Sequence, residues 1–422
     1  MHIQRFHITN FRSLADVTIN NIRSIVVLFG KNGTGKSNVL AALDAIFSPK
    51  VPSEQIRGTL PPLAPFWRGL AMDFHHNFHM NSTAPIHFEV GLIMHEQELM
   101  EIWPQVSALP EALRPPTVPV DRVRLQLLGR FEREVEILGA ARIILDKAKI
   151  IDDIVLEFDG NGQEVWLPRF ISLPLSERQD LGESLLGALT GLFSTVGTAR
   201  FLGKEAFDDA TSQEVIPSNI DRGFKGRLFS LKHSQHQDQQ IVFRKIEETF
   251  KRLGEWGEID FARGGLDNTD LEIMTYGESE TWLPVGMRGT GAEQLLLLIS
   301  EVLMRGSKII GLEELESNLD EESQMKLFEL LEDLVELSGG PVGQIIATAH
   351  SRFYGAELLD YEKRWVTIDT SGRTGIKAWS KQAKDSLFQP DTYFETRQER
   401  NKARATQRRA AQRVGRQRTT SL

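Results

Sequence analysis

The stretch GKNGTGKS at residues 30–37 limits what this chain can fold into more than any other feature. It fits G-x-x-x-x-G-K-[ST]. The apolar run SIVVLFG leads into it, and NVLAALDAIF, with apolar residues at helical spacing, follows. Strand, glycine-rich turn and helix in that order make a phosphate-binding loop. Its glycines let the backbone wrap the phosphates, whose charge meets a ring of N–H groups and the helix N-terminus. The expected nucleotide-binding residues are Gly30, Lys31, Asn32, Gly33, Thr34, Gly35, Lys36, Ser37 and Asn38. Lys36 is placed to reach the β- and γ-phosphates, and Ser37 to ligate Mg²⁺.

Three later segments supply what such a loop lacks. Residues 309–314, IIGLEE, read as a buried strand ending in two carboxylates. A hard cation such as Mg²⁺ takes oxygen ligands, which suits Glu313. Glu314 is then positioned to polarise an attacking water. Taken alone, both acids could equally charge the first turn of the next helix. His350 ends a further apolar strand, IIATAH, with polar Thr348 and Ser351 beside it; there it can hydrogen-bond a γ-phosphate, or simply be a satisfied strand-end histidine. GTGAEQ at 289–294 opens an apolar helix. Its Gly289, Thr290 and Gly291 form a second anion-binding surface, a weak signal in isolation.

The 422 residues suffice for two or three domains with a full core. No apolar run approaches a membrane span, and the alternating N-terminus reads as a strand instead of a leader. With no cysteine, thiolate metal sites and thiol catalysis are excluded, and a cytoplasmic location is the simplest expectation. The net charge of −9 hides an asymmetry: residues 397–422 carry +8, which leaves −17 elsewhere. An acidic body suits broad nucleic-acid binding poorly. The basic tail could bind nucleic acid or an acidic protein surface, or remain solvated.

The expected organisation is an N-terminal lobe with the phosphate loop (1–48), an antiparallel β part of that same lobe (49–171), a helical insertion (172–280), a second lobe (281–382) and the basic tail (383–422). Within 49–171, a Pro-rich surface segment at 51–67 precedes the β-like runs. The second lobe closes on a hairpin whose turn is SGR.

Together these segments resemble the ABC-type ATPase heads of the RecF, SMC, Rad50 and OLD group. The resemblance implies an α/β fold: a P-loop head of mixed sheet plus antiparallel β lobe. In that family GTGAEQ looks like the signature segment, which contacts the γ-phosphate bound in the opposite subunit. LEELE is similar to the OLD-type metal-binding strand, with Leu315 where a proline is usual. Residues 317–320 would be the D-loop and His350 the switch histidine. The opening ITNFRSL is similar to the family's first strand, which would set Arg12 near the nucleotide. The resemblance implies ATP and Mg²⁺ as ligands and a homodimer or larger assembly.

OLD-family nucleases add an acidic Toprim domain, and no such cluster follows His350 here. The expectation is therefore an ATPase subunit like those of two-gene phage-defence systems such as PARIS and Septu. It would sense a phage protein or nucleic acid and control a separate effector nuclease. The alternative is a RecF-like DNA-repair ATPase.

Overall fold

The structure, a computed structural model, describes residues 1–47, 77–95, 97–98, 100, 122–133, 141–150, 154–158, 165–166, 189, 191–197, 224–253, 256–264, 270–277, 280–305, 307–317, 319–336, 342–350 and 361–380. The chain divides into two compact units, 1–377 and 378–422. The Pro-rich segment, Ser351 and the basic tail lie outside the described residues.

The first sheet is antiparallel. Its strands in chain order are β1 (His2–Phe11), β2 (Leu14–Asn20), β4 (Ile86–His95), β5 (Arg122–Arg133), β6 (Ala141–Ile150), β7 (Ile154–Phe158) and β8 (Val165–Trp166). They lie side by side as β2-β1-β4-β5-β6-β7-β8. Alternation buries Ile86, Phe88, Val90, Leu92 and Met94 of β4 on one face, and Ile93 is buried on the other. In β1 the apolar spacing slips to three between Ile3 and Phe6. A register shift between Ile3 and Arg5 absorbs the slip, so Ile3, Phe6 and Ile8 are all buried.

The second sheet has six strands in the order β16-β15-β3-β14-β13-β9. These are β3 (Ile25–Phe29), β9 (Phe193–Val196), β13 (Ile309–Leu312), β14 (Gln344–Ala349), β15 (Glu362–Ile368) and β16 (Thr374–Ala378). β9, β13, β14, β3 and β15 run parallel. Every residue of β3, β13 and β14 is buried. Such unbroken burial is expected of parallel strands covered on both faces. Helix α1 (Lys36–Phe47) buries Val39, Leu40, Ala42, Leu43, Ile46 and Phe47 in one apolar cluster shared with β1, β3, β4 and β14.

Within residues 1–48, β1 and β2 belong to the antiparallel sheet, while β3 belongs to the parallel one. The expected division differs from the observed one in the helical insertion. The segment 172–280 is only partly helical. It holds α2 (Phe224–His233) and α3 (Gln237–Leu253), but also β9 of the central sheet. A three-stranded antiparallel sheet follows, formed by β10 (Trp256–Gly264), β11 (Asp270–Gly277) and β12 (Trp282–Pro284). α3 turns Phe243, Ile246 and Phe250 inward. Arg227 of α2 pairs with buried Glu301 of α4 (Thr290–Arg305), and Arg252 of α3 with Asp333 of α5 (Glu321–Glu336). These helices are thereby tied to the elements carrying the later motifs. The hairpin at the C-terminal end is as expected: Asp369 Oδ1 accepts from the N–H of Ser371 and Arg373, and Gly372 takes φ +77°.

Candidate nucleotide site

β13, β14 and β3 are neighbours running in one direction, so their C-terminal ends share an edge. That edge carries Glu313 and Glu314, then His350, then the loop starting at Gly30. Open parallel sheets hold their ligands at this edge.

The loop is built tightly. Gly33 and Gly35 take φ +77° and +97°. A Cβ on Gly35 would sit 2.2 Å from Thr374 Oγ1 and 2.6 Å from Ser13 Oγ, and one on Gly30 would sit 2.5 Å from the Val366 carbonyl. Close approach requires glycine at both positions. Lys31, Asn32, Gly33 and Ser37 are exposed, whereas Thr34 and Lys36 are buried.

A relay of hydrogen bonds grips the loop from distant parts of the chain. Arg12 Nη1 donates to Asn38 Oδ1 (3.3 Å), and Asn38 Nδ2 donates to Ser13 Oγ (2.7 Å). Ser13 Oγ lies 2.6 Å from Thr374 Oγ1, which donates to the Thr34 carbonyl (2.9 Å). Bonds in series polarise one another, which stiffens the loop in one shape. Arg12 Nε also donates to Asn77 Oδ1 (2.6 Å), and the guanidinium lies over the Phe11 ring at 5.4 Å. Partial burial lowers the Arg12 pKa, and the charge of Glu313 opposes that shift. Arg12 is thereby tied to the loop through Asn38. Sequence reasoning missed Ser13, Asn77 and Thr374, which carry no local signal.

Lys36 Nζ donates to the carbonyls of Gly30 (2.9 Å) and Lys31 (3.0 Å). Burial pulls its pKa down to about 8, against the raising influence of Glu314 and Glu316. A bound phosphate would hold the ammonium charged. Below pH 8 binding then needs no proton, and above it each binding event takes one up. Calorimetry at pH 9 in two buffers of different ionisation enthalpy is expected to show uptake of most of one proton. Affinity is expected to weaken by up to about tenfold per pH unit above 8. Buffer-independent heats at pH 9 would contradict this.

The Glu313 N–H donates to the Val196 carbonyl (3.0 Å), which continues the β9–β13 pairing past the strand end. Glu314 takes φ +46°, a conformation that costs a non-glycine residue about 1 kcal/mol or more. Its carboxylate Oε1 lies 3.8 Å from His350 Nε2, with side-chain exposures of 43% and 30%. The His350 N–H donates to the Glu316 carboxylate. Leu315 is buried and its N–H donates to the Thr348 carbonyl (3.1 Å). A proline at 315 could not make that bond, which accounts for the departure noted in the sequence.

Residues 289–291 stand apart from this edge. Gly289 (φ +110°) ends the short 3₁₀ turn Val285–Arg288 and opens α4. Arg288 is held by Thr275 Oγ1 (3.3 Å) and the carbonyls of Thr275 (3.2 Å) and Thr281 (3.3 Å). Gly289 and Thr290 are exposed and Gly291 is half-buried. No atom lies within 4 Å of where a Gly289 Cβ would be. Among the described residues, 289–291 make no hydrogen bond to the phosphate loop. The segment faces outward.

Metal ligands were expected at Ser37 and Glu313. Both offer oxygen, and Ser37 is exposed at the start of α1. Mg²⁺ takes few protein ligands and completes its shell with phosphate oxygens and water, so this donor set fits it. Among the described residues there is no cluster of three or more acidic or histidine side chains that would form a separate protein-only cage. Nor is any helix among them long and apolar enough to cross a membrane.

Residues 1–100 match the family described as AAA ATPase domain. That opening quarter of the chain is ATPase-like. No curated protein matches the sequence. Similar solved structures include an SMC head bound to the C-terminal winged-helix domain of ScpA, at 13% identity, with 90% of this chain and 99% of that one covered and a TM-score of 0.49. Another is the SMC head domain from Thermotoga maritima, at 14% identity, 90% and 100% coverage and a TM-score of 0.43. A third is an Smc head with an extended coiled coil bound to the C-terminal domain of ScpA, derived from Pyrococcus furiosus, at 12% identity, 92% and 98% coverage and a TM-score of 0.47.

Proposed function

We propose that this chain is an ABC-type ATPase that binds ATP between two copies of itself and hydrolyses it. The observation that carries this reading is the shared strand edge, where Lys36, Glu314 and His350 converge beside the glycine loop. The N–H groups of residues 30–35 and the start of α1 cradle the phosphates, and Lys36 neutralises the β- and γ-phosphates. Ser37 and Glu313 would hold Mg²⁺, which when bound would offset charge on the phosphate oxygens. Glu314 takes a proton from the water that attacks the γ-phosphorus, as the bond from that phosphorus to the β–γ bridging oxygen breaks. His350 hydrogen-bonds the γ-phosphate. Arg12 lies close enough to the loop to sense what occupies it.

Gly289, Thr290 and Gly291 present an exposed glycine-bounded helix start away from the phosphate loop of the same chain. A second copy would supply that face, and ATP would join the two heads. At the finer level, the sequence resemblance supports a sensor subunit of an antiviral complex controlling a separate effector nuclease.

Light scattering with and without ATP and Mg²⁺ tests the pairing. The expected result is a doubling of mass on ATP addition, lost in Thr290→Trp, a bulky change on an exposed position at the start of α4. A mass that ignores ATP would remove the paired-head reading. Affinity purification from the native host tests the finer level, with a nuclease expected to co-purify. DNA binding that survives removal of residues 397–422 would instead favour a DNA-repair role.

A further inference from the structure

A threonine hydroxyl inside a fully buried parallel strand calls for a physical reason, because an unbonded one destabilises the fold. Thr348 is such a residue: it is fully buried in β14, which is paired on both sides, to β3 and to β13. Both of its polar atoms on that side serve the neighbouring turn. Its Oγ1 accepts the Glu314 N–H at 2.9 Å, and its carbonyl accepts the Leu315 N–H at 3.1 Å. Glu314 is the residue with φ +46°, and an L residue persists there only where its surroundings hold it. The Ser317 N–H closes the turn on the Glu314 carbonyl (3.0 Å). Two residues beyond Thr348, His350 lies 3.8 Å from the Glu314 carboxylate.

We infer that Thr348 is a positioning residue for ATP hydrolysis: its hydroxyl fixes the left-handed backbone of Glu314 and so aims that carboxylate at the attacking water. This rests on the role proposed above for Glu314. Thr348 itself is fully buried. It acts through the Glu314 N–H, and the doubly paired strand β14 supplies the rigidity. One strand end thereby sets both members of the Glu314–His350 pair.

The test is Thr348→Val, which keeps the shape and removes the acceptor. Misaimed catalytic groups can cost about 10²-fold. The expected result is a fall in kcat of about tenfold to 10²-fold, with ATP affinity unchanged to within about twofold. Thr348→Ser, which restores the hydroxyl, is expected to recover most of the rate. In a Glu314→Gln background Thr348→Val is expected to cost nothing further, since both changes act on one group. Amide hydrogen exchange at Glu314 should quicken in Thr348→Val. If that variant does not fold, Thr348→Cys, of similar size with only a weak acceptor, takes its place.

A Thr348→Val protein with normal kcat, beside a Glu314→Gln protein that has lost turnover, overturns this inference alone. Failure of Thr348→Ser to recover the rate also overturns it. A Glu314→Gln protein with normal turnover overturns the role of Glu314 itself, and the inference with it.

Discussion

Replacing Lys36 with alanine is expected to lower ATP affinity by about 10² to 10⁴-fold, because two charge-assisted contacts of about 1.5–3 kcal/mol each disappear. The side chain is buried at the start of α1, with Nζ on the carbonyls of Gly30 and Lys31. Those carbonyls lie inside the loop that cradles phosphate, so the ammonium is already held where the anion would arrive. Lys36→Arg is not a substitute: a larger fork has no room at a position only 6% exposed. Stability should move differently from binding. Burial lowers the Lys36 pKa to about 8, so carrying the charge opposes folding. That opposition is complete below pH 8 and fades as pH rises towards the unfolded value of about 10.4. At pH 7 the alanine variant is therefore relieved of it, while losing two hydrogen bonds to carbonyls. A melting temperature close to wild type, together with lost nucleotide binding by fluorescence titration, is the expected pair of results. ATP affinity within threefold of wild type would remove Lys36 from the site.

The parts of this site visible in the sequence are those where chemistry and local pattern coincide. GKNGTGKS, the double carboxylate and His350 each follow a short apolar run, and a fully buried parallel strand produces just such a run. Their order in space, β13-β14-β3, is not their order in the chain and is set by the sheet. The clamp on the loop is different. Ser13 and Thr374 are 361 positions apart and meet at 2.6 Å, and nothing local marks either as a partner of the other. Leu315 shows the same limit. As a letter it is a departure from a pattern, and only the bond from its N–H to the Thr348 carbonyl gives it a reason.

In the segment 172–280 two sequence signals overlap, so the whole reads as helical. The helical spacing of α3 dominates, although Ile259 and Phe261 in β10 and Leu271, Ile273 and Thr275 in β11 alternate as strands do. The four-residue β9 is too short for any periodicity to register. Its placement still matters, because the Val196 carbonyl holds the N–H of Glu313. The outward direction of residues 289–291 was equally illegible, since it is set by Arg288 reaching back to β11.

The Glu314→Gln variant is expected to bind ATP normally and to turn it over about 10² to 10⁴-fold more slowly, the range that a lost general base commands. Glutamine keeps the length and one acceptor oxygen of glutamate but cannot take the proton of an attacking water. The side chain is 43% exposed, so the neutral amide meets solvent and no buried charge is orphaned by the change. The strained backbone at 314 is unchanged, because Thr348 holds the N–H and not the carboxylate. Binding and hydrolysis should therefore separate, unlike in Lys36→Ala, where both go together. If ATP joins two copies and only its hydrolysis parts them, slow turnover should also leave the doubled species standing through a light-scattering run. Glu313→Gln provides the contrast, since weakening a Mg²⁺ ligand should raise the Mg²⁺ concentration needed for turnover. Single-turnover phosphate release and solution mass, measured on the same preparations, read both effects. Unchanged release from Glu314→Gln would assign the proton to another group, and His350, 3.8 Å from that carboxylate, would be the first to test.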